Sequence, residues 1–198
     1  METGQRKNDR NVTWTFVLVL GAIAALYRVA PYYLFPRDAY LLWHMVPVGA
    51  LALFAGSRLR QRGAFLVPLG VMLVSDLLLI RPLAALGMSP FSWGTLLIYA
   101  SFAVYVLIGR LIREGELSPL VIGGAGLLAS VQFFLLTNFA VWYGGSLYPH
   151  TLAGLMECYL AGVPFYRNTL AGDLFFSGLI FGVHALAFRP ARSLETAA

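Results

Sequence analysis

Residues 132–176 read QFFLLTNFAVWYGGSLYPHTLAGLMECYLAGVPFYRNTLAGDLFF. The stretch begins inside one long apolar run and ends inside another. Between them it carries Asn138, Trp142, Tyr148, His150, Glu157, Cys158, Tyr159, Arg167, Asn168 and Asp173. Elsewhere the chain is mostly hydrocarbon joined by short basic connectors. A polar group held at membrane depth weakens insertion, so such a concentration needs a reason. The expected reason is a site facing the outer side of a membrane.

Working outward, the 198 residues are 59% hydrophobic and 12% charged. Soluble domains carry about twice that charged share, roughly 25%. The apolar residues fall in blocks, and blocks of about 17–25 residues read as membrane-spanning helices. Six spans are expected, at about 14–34, 40–56, 64–80, 93–109, 119–142 and 169–188. Pro47 and Pro68 fall inside two of them and should kink them. The first run continues to Phe35, longer than a secretory signal core, so an uncleaved first helix is expected. The fold class is an all-α, polytopic membrane protein forming one domain over 1–198, with no room for a separate soluble domain.

Basic residues set the orientation. Arg6, Lys7, Arg10, Arg58, Arg60, Arg62, Arg110, Arg113, Arg189 and Arg192 fall on one side of six spans. Arg28, Arg37, Arg81 and Arg167 fall on the other. The bias places both termini in the cytoplasm and the protein in the inner membrane. It also assigns the net charge of +5 to topology, with no nucleic-acid partner expected.

With that orientation, polar residues gather in the outer halves. Arg28, His44, Asp76, Tyr99, Ser101, Asn138, Trp142 and Asp173 all lie there, whereas the inner halves hold little beyond His184. The asymmetry predicts a shared cavity opening outward, around which Asp76, Asn138 and Asp173 converge. The connector 143–168 is too long and apolar for a plain loop. Within it, LAGLMECYLAGV at 152–163 is expected to form a re-entrant or interfacial helix. Gly144, Gly145 and Pro149 would lead in and Pro164 would end it, letting the segment cap the cavity.

The chemistry remains open at this stage. A carboxylate within a span costs about 2.5–3.5 kcal/mol near the helix centre. Asp76 and Asp173 therefore either serve a site or lock the fold, for instance by pairing with Arg28. Arg28 can instead snorkel to the interface. Asn138 can bridge helices or meet a ligand. Trp142, Tyr143, Tyr148 and Tyr159 fit an interfacial belt or an aromatic pocket wall. His44, His150, Glu157 and Cys158 lack the spacing of a metal motif, so no metal is expected. A single cysteine excludes an intrachain disulfide. Neither a nucleophile elbow nor a P-loop is present, so no enzyme activity, ATP hydrolysis or cofactor is expected. Small residues four apart, including Gly21 with Ala25, Gly126 with Ser130 and Gly178 with Gly182, allow close helix approach.

PVGALALFAG (47–56), Ser75-Asp76, TNFAVW (137–142) and YPHTLAGLMECYLAGVPFYRNTLAGDL (148–174) resemble a family of small, uncharacterised bacterial membrane proteins. More distantly, the architecture resembles the substrate-binding S components of energy-coupling-factor transporters. That resemblance implies six helices, cytoplasmic termini, an outward pocket, a transmembrane coupling subunit and a pair of ATPases. The function it implies is capture of a small organic solute for uptake. The expected ligand contacts are Asp76, Asn138, Trp142, Glu157, Asn168, Asp173, Arg28 and His44. An intramembrane enzyme on a lipid or isoprenoid and a structural or assembly subunit are the competing readings.

Overall fold

The computed structural model describes residues 2–34, 45–59, 62–113 and 116–188. These described residues form six helices: α1 Glu2–Leu34, α2 Val48–Arg58, α3 Gly63–Ala84, α4 Trp93–Gly109, α5 Pro119–Gly144 and α6 Leu152–Ala187. Four are long and apolar enough to cross a membrane, over Val12–Leu34, Gly63–Ala84, Pro119–Gly144 and Leu152–Ala187. The other two, α2 and α4, are shorter apolar helices.

The bundle is built around its shortest member. α2 touches all five other helices. Its VGALALFAG run is small and apolar on every face, and Val48 through Gly56 are buried without exception. A helix apolar all round belongs in an interior. Its 11 residues span only about 16 Å, far less than a bilayer core. Two glycines let α4 approach it. A Cβ at Gly56 would overlap the Val106 carbonyl, and one at Gly109 would overlap the Leu53 carbonyl. Phe54 and Phe181 pack edge to face at 5.1 Å and tie α2 to α6.

α1 and α3 lie side by side and run parallel. Trp14 meets Gly63, Gly21 meets Val71, and the Tyr33 hydroxyl donates to the Leu78 carbonyl at 2.9 Å. α5 and α6 form a long antiparallel hairpin. Its turn is fixed by local polar groups. The Trp142 indole N–H donates to the Pro149 carbonyl at 2.9 Å, and the Thr151 hydroxyl accepts from the Gly154 N–H at 3.2 Å. At the same end Trp93, Phe139, Trp142, Tyr143 and His150 stack in a partly exposed aromatic cluster. Such clusters suit a membrane–water interface, where one part of the ring is wet.

Three sequence expectations need correction. Pro47 does not kink a span; it caps the start of α2, preceded by non-helical Met45 and Val46. Pro164 does not end a separate segment. LAGLMECYLAGV is helical, but it continues through Pro164 as one helix to Ala187. The segment also does not close over the bundle. It lies along α5, where the Cys158 thiol donates to the Asn138 carbonyl at 3.4 Å and the Tyr159 hydroxyl to the Leu135 carbonyl at 3.1 Å.

Candidate functional site

The helices bring the polar residues into three places rather than one. The first joins α1, α3 and α4. Arg28 turns inward, and its guanidinium contacts the Asp76 carboxylate at 2.6 Å. It also donates to the Ser75 hydroxyl. The Tyr99 hydroxyl donates to the second Asp76 oxygen at 2.7 Å. Asp76 is only 2% exposed. This arrangement satisfies both carboxylate oxygens, which a buried charge requires.

The second joins α2, α4 and α6. The Tyr105 hydroxyl donates to Asp173 Oδ2 at 2.6 Å, and both residues are buried. Asp173 Oδ1 faces Gly49 at the first turn of α2, where a Cβ would overlap it. Tyr99 and Tyr105 are six residues apart on α4, so they stand about 9 Å apart along the axis and about 120° apart around it. The two carboxylates thus lie against different faces and levels of the same helix.

The third is a cavity of about 310 Å³ between α4, α5 and α6. Four aromatic rings line it: Phe133, Phe134, Phe165 and Tyr166. Thr137, Asn138 and Thr169 supply its polar groups. The two threonine hydroxyls donate back to the Phe133 and Phe165 carbonyls of their own helices. The Asn138 amide N–H donates to the Phe134 carbonyl at 2.8 Å. That bond orients the amide so that its oxygen faces Gly162, where any Cβ would overlap it. Asn138 is therefore fixed in the wall by one bond and one glycine.

The expected convergence of Asp76, Asn138 and Asp173 around one cavity is not found. Of the three, only Asn138 lines the cavity. The depth argument fails because α6 begins at Leu152, which puts Asp173 twenty-one residues into it rather than four. Trp142 lies one turn beyond Asn138 and bonds to the hairpin turn. Glu157 is exposed, and Asn168 is half-buried on α6. His44 lies outside the described residues. No group of three His, Cys, Asp or Glu side chains suited to a metal ion occurs among the described residues.

Several residues now central carried little signal. Tyr105, Ser130 and Ser177 sit inside apolar runs and fit a packing pattern equally well. Gln132 was visible as the polar start of the decisive stretch; its side chain accepts from the Ser101 hydroxyl at 3.1 Å and ties α5 to α4.

No curated protein and no solved structure matches this chain. One family does match it, over residues 8–195, nearly the whole described bundle. The chain belongs to the family of unknown function DUF6580.

Proposed function

We propose that the protein is a membrane-embedded binding subunit that captures a small organic solute in the α4–α5–α6 cavity. The observation that carries this reading is the cavity itself. Its volume falls at the lower end of the range for small-molecule sites, about 300–1,000 Å³. Four rings offer apolar faces, and a pre-oriented amide offers a directed polar contact. A largely apolar solute with one hydrogen-bond donor fits that chemistry. Six spans, cytoplasmic termini and an inner-membrane location complete the proposal, resting on the basic-residue bias. The sequence-level resemblance to energy-coupling-factor S components is the ground on which the proposal extends to a coupling subunit and ATPases.

Purifying the full chain in detergent and identifying copurified metabolites by mass spectrometry tests the reading. Asn138→Ala is expected to weaken retention of that molecule about 10-fold, since it removes one half-buried hydrogen-bonding group from the cavity wall. Failure of every metabolite tried to bind or to raise the melting temperature would remove the basis for the proposal. Topology has its own check. A reporter enzyme active only outside the cytoplasm, fused after Ala198, should stay silent; a strong signal would reverse the orientation.

One observation favours a second reading, a structural or assembly subunit. Asp76 and Asp173 each have a partner within the bundle. On that reading their substitution lowers thermal stability, and no solute is found.

A further inference from the structure

A groove of about 450 Å³ lies along the seam between α1 and α3. Gly21 packs against Val71 at its floor. Leu18 on one side and Leu66 and Val74 on the other form its walls, and Leu18, Leu66 and Val74 are each about half exposed or more. Apart from the Trp14 indole, no described lining residue has a polar side-chain atom. In a membrane such a groove is filled by hydrocarbon, from a lipid or from another helix.

Two observations decide between them. The first is length. The groove starts at Trp14 and Gly63, close to where the two apolar spans start, and stops at Ala25 and Val74. Just beyond, Arg28 joins α1 to Ser75 and Asp76 of α3. From Trp14 to Ala25 and from Gly63 to Val74, the groove is about 16 Å long. That is roughly one leaflet of a hydrocarbon core about 30 Å thick. A partner helix would follow the seam across the whole core, whereas a lipid tail stops near mid-bilayer.

The second is charge. Arg62 is the N-cap residue of α3, next to Gly63 at the mouth of the groove. It is exposed and forms no ion pair among the described residues. The start of α3 has no side-chain cap and no acidic residue, so its free N–H groups and helix dipole also favour an anion. α1 places Arg10 and Arg6 one turn and two turns before Trp14. The mouth is therefore positive, the sign that attracts a lipid phosphate, while the far end holds a neutralised pair.

We propose that the groove holds one acyl chain of an anionic phospholipid, with the phosphate at Arg62 and the start of α3. The lipid comes from the leaflet that meets the start of α3. This site is separate from the α4–α5–α6 cavity and does not depend on what occupies it.

The test is thermal unfolding of the full chain in a nonionic detergent, with added phosphatidylglycerol or phosphatidylcholine of the same acyl chains. Phosphatidylglycerol is expected to raise the melting temperature saturably, by about 5 °C more than phosphatidylcholine. Arg62→Gln should move the phosphatidylglycerol midpoint about 5-fold higher, the weight of one basic group near a lipid surface. Gly70→Leu should abolish the difference between the two lipids by filling the groove. A Cβ at Gly70 meets nothing within 4 Å, so the leucine enters the groove without displacing the bundle. Gly124→Leu, equally open on α5, should keep the difference. Equal effects of the two lipids overturn the site and leave the groove to a helix. An unchanged phosphatidylglycerol midpoint in either Arg62→Gln or Gly70→Leu also overturns it, because the lipid then binds elsewhere. So does a dimer, seen by native mass spectrometry, that is lost in Gly70→Leu, which would assign the groove to a second copy of the chain.

Discussion

Arg28→Leu is expected to destabilise the folded chain by about 3–5 kcal/mol, the usual penalty for removing one partner of a buried ion pair. The guanidinium supplies the charge facing Asp76 and also holds Ser75. Without it, a carboxylate 2% exposed keeps, among the described residues, only the Tyr99 hydroxyl. The same reasoning makes the double variant diagnostic. Arg28→Leu with Asp76→Leu removes both charges and should recover much of the loss, because the unpaired charge causes most of it. Tyr99→Phe should cost less, about 1.5–3 kcal/mol, as the loss of one hydrogen bond to a charged group. Unfolding in detergent, followed for the single and double variants, checks this. Simple addition of the two single losses would show that the pair is not coupled and that Arg28 acts through packing alone.

The ion pair was within reach of the sequence because its two members lie near the ends of two long apolar runs that turn out to be parallel neighbours. α4 was legible to the residue. Ser92 and Thr95 mark its start, the Ser92 N–H donating to Thr95 Oγ1 at 2.8 Å, and Arg110 follows its end. The start of α6 was not. Proline in a helix interior forfeits one backbone bond, which makes Pro164 look like a stop. Membrane helices tolerate that loss, and Pro164 is exposed, away from the packed face. Moving that boundary to Leu152 moved Asp173 toward the middle of its helix and dissolved the common depth inferred for three polar residues. Ser130 and Ser177 were hidden for another reason. A serine among glycines and alanines reads as a small packing residue, and only a three-dimensional account shows that both hydroxyls are fully buried between α5 and α6.

Gly56→Val is expected to be among the most disruptive apolar substitutions in the chain, at about 3 kcal/mol or more. The new side chain would meet backbone, not the end of a flexible neighbour. Its Cβ alone overlaps the Val106 carbonyl oxygen and lies close to the same residue's Cα. Gly109→Val would drive the opposite side of the crossing against the Leu53 carbonyl. Either change forces α2 and α4 apart, so the double variant should lose much less than the sum of the two. Glycine itself is not the reason for the effect, which Gly123→Ala shows. A Cβ at Gly123 meets nothing within 4 Å, and alanine there should stabilise α5 by about 0.5–1 kcal/mol through helix propensity. The consequences of the Gly56 change extend to Asp173. α2 carries Gly49, whose missing side chain leaves room for Asp173 Oδ1, and α4 carries Tyr105, which holds Oδ2. Separating the two helices therefore loosens both sides of that carboxylate. Equal stability of Gly56→Val and Gly123→Ala would mean that α2 and α4 do not meet backbone to backbone.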